Sequence, residues 1–413
     1  MPAMTDYRWP TYTPRNITLD SVVREGAPQG RGSFRVRDTD GKVYLDAIGG
    51  IGCLPLGHGH PKWLAAVNEQ MSKLCGAAGT FWTQPQQELA AKLVQLSPLK
   101  DARVFFGNTG TEVTEAAVKV ATRATKRDVI IAFERAFHGR TLASIALTGT
   151  AKYREPYVTV LGEDHKRFAT MNVARATFND LASVEAQFAK YPDRVAMVCL
   201  EPIQGEGGIN PATREFLVGL RELCHRHGAL LGLDEIQAGC GRTGDFAAWT
   251  TIVGDDPKLY PDIIWWAKAL GGGYPIAACA ARGDLAEHMT KGSHGSTFGG
   301  HPVACAASLA TLAIMEEENL MASAAKQLPT LRSIAEADPA PQVREIRGVG
   351  AMIGIDLGDA DLAGRVVSQL QQEGVLVTLS GGTAIRSLMA FHAGEPELRE
   401  LWTALKRSLE KVG

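Results

Sequence analysis

The chain has 413 residues, with 43 Lys+Arg against 45 Asp+Glu and a formal net charge of −2. That near-balance excludes a polybasic nucleic-acid binder and an acidic tail. A hydrophobic fraction of 45% with 21% charged residues supports a large buried core and excludes disorder over most of the length.

In chain order, residues 33–52 read as a strand pair turned at Asp40-Gly41. From about 100 to 285, short apolar runs alternate with helical periodicity. The runs are Arg103–Phe106, Val129–Phe133, Val195–Leu200, Ala229–Leu233, Ile263–Ala267 and Ile276–Ala281. They are continuously apolar, as strands buried on both faces should be. Between them, residues 112–126 place Val113, Ala116, Ala117, Val120, Ala121 and Ala124 on one helical face. Residues 214–227 do the same with Phe216, Leu217, Leu220, Leu223 and Cys224, and Gly228 supplies a stop. Alternating β and α units predict a mostly parallel sheet covered by helices. The stretch PVACAASLATLAIM at 302–315 is too short to span a bilayer and reads as a buried helix. Short strands around a helix at 361–373 occupy 343–391, and an amphipathic helix follows Pro396. The expected organisation is a segment 1–65 contributing to a small domain, a large domain over 66–310, and a C-terminal small domain over 311–413.

Seven widely spaced cysteines without a C-x-x-C argue against a disulfide framework or a zinc ribbon and fit a reducing compartment. MPAMTDYRWP at the start carries no apolar run of a secretory signal. The expectation is a cytoplasmic protein with no membrane or nucleic-acid partner and no metal site.

Six stretches carry chemistry-bearing residues. In VFFGNTGTEVTEA (104–116) a strand enters a turn, and Thr109-x-x-Glu112 matches a capping box that opens the helix. Free N–H groups at such a terminus bind anions, phosphate above all. A plain capped helix is the alternative. In ALLGLDEIQAGCGRTG (229–244) an apolar strand delivers Asp234 at its C-terminal end, the edge of a parallel sheet where ligands bind. Gly239, Gly241 and Gly244 also spell G-x-G-x-x-G, the mark of a nicotinamide dehydrogenase, but Asp234 to Ala238 separate them from the strand. In PDIIWWAKALGGGYP (261–275) Lys268 leaves a hydrophobic strand. It either snorkels to the surface or is a desolvated amine suited to imine chemistry. VAMVCLEPIQGEGG (195–208) brings Glu201 and Glu206, AFHGRT (136–141) brings His138 and Arg140, and HGSTFGGHP (294–302) is a polar loop ahead of a helix. His138 alone reads as structural. The pairs His58/His60 and His225/His227 carry only a faint metal signal.

In this order the six motifs, together with DTDGKVYLDAIGGIG and LGHGHP near the start, resemble the class III pyridoxal-phosphate (PLP) aminotransferases, the family of acetylornithine, ornithine and 4-aminobutyrate aminotransferases. The resemblance runs from about Asp38 to about Arg386. It implies fold type I, an α/β architecture with a large mostly parallel-sheet domain and a smaller α+β domain. It also implies that Lys268 holds PLP covalently and shuttles the proton, and that Asp234 pairs with the ring nitrogen. Gln237 would meet the phenolic oxygen, Phe137 would stack on the ring, and Gly110 and Thr111 would cradle the phosphate. Thr297 would reach the phosphate of a neighbouring subunit, so the assembly is expected to be a homodimer or larger.

The same resemblance assigns substrate carboxylates to Arg140 and Arg386, the planar forks such groups require. Glu206 would close on Arg386 when no α-carboxylate is present. Ser296 and Ile51 complete the implied substrate site. Ile51 stands where ornithine aminotransferases carry a tyrosine that meets the donor's α-amino group, which disfavours free ornithine. The implied reaction moves an ω-amino group from a donor such as N-acetylornithine to 2-oxoglutarate, giving an aldehyde and glutamate. 4-Aminobutyrate or another ω-amine is the alternative donor. An aminomutase, racemase or decarboxylase would retain Lys268 and Asp234. A non-catalytic binding protein on this fold would have no need of the lysine.

Overall fold

The computed structural model describes residues 15–99, 101–161 and 172–413, so MPAMTDYRWP lies outside the described residues. Its central sheet has seven strands, in the spatial order Arg103–Gly107, Ala277–Ala281, Ile263–Trp266, Leu230–Asp234, Val195–Leu200, Val129–Phe133 and Asn172–Ala176. Every pairing is parallel except the two made by Ala277–Ala281, which runs antiparallel to both neighbours. The six apolar runs all become strands of this sheet, each end within one residue of expectation. The seventh, Asn172–Ala176, was missed. It sits at the sheet edge, with Asn172, Val173 and Arg175 only half-buried. An edge strand covered on fewer sides needs no continuous apolar run.

Helices Gly110–Thr125 and Arg214–His227 bury the predicted faces, and Gly228 ends the second in the left-handed conformation that glycine adopts without strain. Pro302–Glu317 is the buried apolar helix. Its side chains, and those as far as Ala324, pack into the same core as the central sheet. From Leu328 onward most apolar groups enter a second core with Leu45, Ile355, Val366, Ile385 and Trp402, while Ala351 and Phe391 pack back into the first. Two small sheets flank that core. One joins Leu19–Val22, Arg35–Asp38 and Val43–Asp46 to Val375–Leu376; the other is the antiparallel set Glu345–Val349, Met352–Asp356, Ala384–Ser387 and Thr378–Ser380. The chain therefore returns its N-terminal strands to its C-terminal body. No helix among the described residues is long and apolar enough to cross a membrane.

Candidate active site

Parallel strands aim their C-terminal ends at one edge of the sheet, and that edge carries the site. Five of them deliver, in turn, Gly110 after Gly107, Phe137 after Phe133, Glu201 after Leu200, Asp234 at the last strand position and Lys268 after Trp266. They line a cavity of about 420 Å³ that also takes in Thr111, Arg140, Glu206 and Gln237. Residues separated by more than 150 positions thus converge on one volume.

Lys268 has a positive φ of 40° at the first position of a short 3-10 turn. Burial lowers its amine pKa, opposed by the nearby Glu206 carboxylate and assisted by Arg386. A desolvated amine of this kind is a better nucleophile near neutrality than a surface lysine; the snorkelling alternative is not what the structure shows.

Asp234 is 3% exposed. Its Oδ1 accepts from the Ile236 N–H at 3.1 Å, and its Oδ2 lies 2.8 Å from His138 Nδ1. Burial opposes charge on the imidazole, but contact with Cys199 and the hydrogen bond to Asp234 outweigh it and raise its pKa well above the ordinary value. His138 is the partner of Asp234 that sequence reasoning passed over; its place directly after Phe137, beyond a strand end, was the available signal.

Gln237 is nearly buried. Its Oε1 accepts weakly from Arg386 Nη1 at 3.3 Å, whereas its Nε2 is buried without a partner among the described residues. A buried amide donor left open is costly, and it fits a ligand oxygen at this point. Gly205 leaves room for it, since a Cβ there would stand 2.3 Å from Gln237 Oε1. Gly110 is required for a similar reason, as its Cβ would meet Ile236 Cδ1 at 2.6 Å.

The helix Gly110–Thr125 starts as expected. Glu112 Oε2 accepts from the N–H groups of Asn108 at 2.5 Å and Thr109 at 3.2 Å. The first helical N–H groups, those of Gly110 and Thr111, have no intrahelical partner by helix geometry, and both residues line the cavity. The Thr111 hydroxyl is used internally: it accepts from the N–H groups of Arg140 and Thr141, both at 3.1 Å.

Arg386, 3% exposed, donates through Nη1 to Glu206 Oε1 at 2.5 Å and to Gly205 O at 3.1 Å, and through Nε to Thr378 Oγ1 at 3.1 Å. Burial works against the Glu206 charge, but Arg386, then Lys268 and Lys152, hold its pKa below the ordinary carboxylate value. Arg140 lines the same cavity. Glu201, pushed up to about 7 by burial, accepts from the N–H groups of Phe137 at 2.9 Å and Gly205 at 3.0 Å.

Three expected residues stand apart. Ser296 and the exposed Thr297 line a neighbouring cavity beside Asn108, whose amide donates to Ser296 Oγ at 3.1 Å. Ile51 is 41% exposed and does not line the site; Cys53 does. The reason is local. Gly49, Gly50, Ile51 and Gly52 all have positive φ, forming a left-handed turn closed by Cys53 N to Gly49 O at 2.7 Å. Isoleucine is the one residue of the four that pays for this conformation.

The competing readings lose their footing here. Gly239, Gly241 and Gly244 serve packing: a Cβ on Gly241 would meet Met321 at 2.7 Å, and one on Gly244 would meet Ala325 at 3.1 Å. Asp262, which lies at about the distance beyond the glycines where a dinucleotide fingerprint carries its acidic residue, instead pairs with Arg221 at 2.7 Å and Arg282 at 2.5 Å. His58 and His60 diverge to Asp46 and Glu318. Among the described residues no group of three or more His, Cys, Asp or Glu could hold a metal ion.

The same loop of glycines carries Arg242, which is fully buried. It donates to the carbonyls of Ala351 at 3.0 Å, Met389 at 3.2 Å and Gly52 at 3.1 Å, and stacks on Phe391 at 5.0 Å. One guanidinium so ties the loop after Asp234 to both the N-terminal segment and the C-terminal body.

The chain is 37% identical over 409 residues to an acetylornithine aminotransferase of Methanopyrus kandleri, covering 98% of both chains. It is 37% identical to a succinylornithine transaminase of Yersinia pseudotuberculosis, covering 98% of this chain and 94% of the other. Among solved structures, the ornithine aminotransferase of Toxoplasma gondii superposes with a TM-score of 0.85 at 28% identity, over 98% of this chain and 92% of that one. The family model for class-III aminotransferases matches residues 26–409. With Lys268, Asp234 and an open Gln237 donor around one cavity, and this likeness over nearly its whole length, the chain belongs to the class-III aminotransferases, enzymes dependent on pyridoxal phosphate.

Proposed function

We propose that this enzyme takes the ω-amino group of an N-acylated ornithine, N-acetylornithine first, and passes it to 2-oxoglutarate. The observation that carries this reading is the 2.5 Å pair between Arg386 and Glu206, where Glu206 lines the cavity together with Arg140 and Arg386 lies buried behind it. With the pair closed, the cavity offers one free guanidinium, suited to a donor that brings a single carboxylate far from its reacting amine. With the pair open, it offers two, suited to the dicarboxylates glutamate and 2-oxoglutarate. One pocket then serves both halves of the reaction.

When bound, pyridoxal phosphate supplies an electron sink for negative charge at the substrate carbon that carries the amine. The protein's residues divide the remaining work. The N–H groups of Gly110 and Thr111 hold the phosphate at the helix terminus. Asp234, anchored by His138 and the Ile236 N–H, presents a carboxylate to the ring nitrogen and keeps it protonated. Gln237 Nε2 donates to the phenolic oxygen. Phe137 and Ile236 supply apolar walls. Lys268 Nζ anchors the cofactor and then holds and returns the proton. Arg140 binds the donor carboxylate.

Thr297, exposed and outside the cavity of its own protomer, suits a site completed by a second copy. The exposed Phe81, Trp82 and Phe298 suit the apolar face such a homodimer requires. A cytoplasmic location agrees with the free, mostly buried cysteines.

A donor panel with 2-oxoglutarate as acceptor tests the reading: N-acetylornithine, ornithine, 4-aminobutyrate, lysine, β-alanine and an arylalkylamine. Glutamate should form fastest with N-acetylornithine. Faster turnover of ornithine or 4-aminobutyrate would replace the proposed donor, and no glutamate with any donor would remove the acceptor.

A further inference from the structure

The cavity arginine that would take the donor carboxylate is held in an unusual way. Arg386 is fixed by four oxygen acceptors on Glu206, Gly205, Gln237 and Thr378. Arg140 is exposed, and among the described residues its guanidinium has no carboxylate or carbonyl partner. Instead its Cζ lies 4.0 Å from the centroid of the Tyr153 ring and 5.3 Å from that of Phe137. The two rings meet edge to face, with centroids 5.4 Å apart and planes at 75°. Tyr153 is half-buried near the start of the helix Ala151–Leu161 and does not line the cavity itself.

A flexible arginine at a cavity mouth samples many rotamers, and binding a carboxylate costs it that freedom. An aromatic face restrains the planar guanidinium by cation–π attraction while leaving its edge N–H donors unspent. An ion pair would restrain it too, but would occupy those donors and have to break before substrate could bind. The backbone of Arg140 is already fixed by Thr111, so the ring is what remains to fix the head group. Lys152 lies over the same ring at 4.8 Å, and its charge reaches Glu206.

We propose that Tyr153 is a positioning residue for substrate recognition: its ring holds Arg140 ready for a carboxylate, so Tyr153 sets the affinity for carboxylate-bearing donors without touching them. This rests on the reading of Arg140 as the carboxylate receptor. The ring supplies the effect, so Tyr153→Phe retains it and Tyr153→Leu loses it.

The test uses the holoenzyme in single-turnover half-reactions, with the preferred amino-acid donor and its carboxamide analogue. Tyr153→Leu should raise the apparent KM for the carboxylate donor about two- to fivefold, the weight of one exposed cation–π contact, and leave the limiting rate unchanged. The carboxamide should show no such rise, and Tyr153→Phe should restore the wild-type KM. If Tyr153→Leu is insoluble, Tyr153→Gln is read in the same way. An equal rise for carboxylate and carboxamide would make Tyr153 merely structural and overturn the proposal. So would an unchanged KM in Tyr153→Leu while Arg140→Lys raises it. An unchanged KM in Arg140→Lys would instead remove the underlying role of Arg140.

Discussion

His138 Nδ1 stands 2.8 Å from Asp234 Oδ2, with neither side chain more than 3% exposed. A carboxylate buried at that depth needs a hydrogen-bonding partner; the imidazole beside it supplies one and aims it. His138→Asn should therefore slow the half-reaction about 10- to 100-fold at saturating cofactor, the worth of one hydrogen bond to a charged group. Stopped-flow absorbance of the loaded enzyme measures it, and an unchanged rate would leave the pair a structural one. The sign of the pH effect follows from the raised folded value. The stabilisation is complete below the unfolded histidine pKa and is lost as pH climbs through the folded one. The stability gap between wild type and His138→Asn should narrow at alkaline pH.

Breaking the Arg386–Glu206 pair by Glu206→Ala leaves Arg386 permanently free for an α-carboxylate. The half-reaction with glutamate should stay within about threefold, while that with the ω-amino donor falls about tenfold or more. Equal losses with both substrates would dispose of the opening and closing pair.

Gly205→Ala places a methyl 2.3 Å from Gln237 Oε1. The Gln237 amide must swing away and take its free Nε2 with it. Cofactor affinity should fall about tenfold, the loss of one hydrogen bond, in a titration of the apoenzyme. Unaltered affinity would show that Gln237 does not serve the cofactor.

Arg242 holds three carbonyls from three parts of the chain, and burial brings its pKa down only to about 10, so it remains charged. Arg242→Met should destabilise the fold by about 3–5 kcal/mol, because the buried acceptors lose their donor. Urea unfolding reads this. A loss under about 1 kcal/mol would mean the three segments are held together by other contacts.

Glu201 and Glu235 are both pushed up to about 7 by burial. Between their ordinary 4.5 and 7 the folded state binds more protons than the unfolded chain, so stability from these groups falls as pH rises through that window. Replacing Glu201 by Gln should flatten the decline. A parallel pH profile for wild type and Glu201→Gln would refute the assignment.

The central sheet was legible because most of its strands carry unbroken apolar runs; Asn172–Ala176 (NVARA) interrupts its apolar residues with Asn172 and Arg175 and left no such run. Lys268 and Asp234 were legible for a related reason, since a charged group ending an apolar strand has few structural excuses. His138 was not, because its meaning lies wholly in a partner 96 positions away. The glycines of 239–244 misled in the other direction: their spacing imitates a phosphate turn, yet two of them make room for Met321 and Ala325.

Sequence alone determined the alternation of strands and helices and the chemistry at each strand end, because both follow from local pattern and the cost of burying charge. Only the tertiary structure decided that Arg386 closes on Glu206 and that Arg140 rests on Tyr153. Those are contacts set by packing between distant segments, and no local pattern encodes where such segments meet.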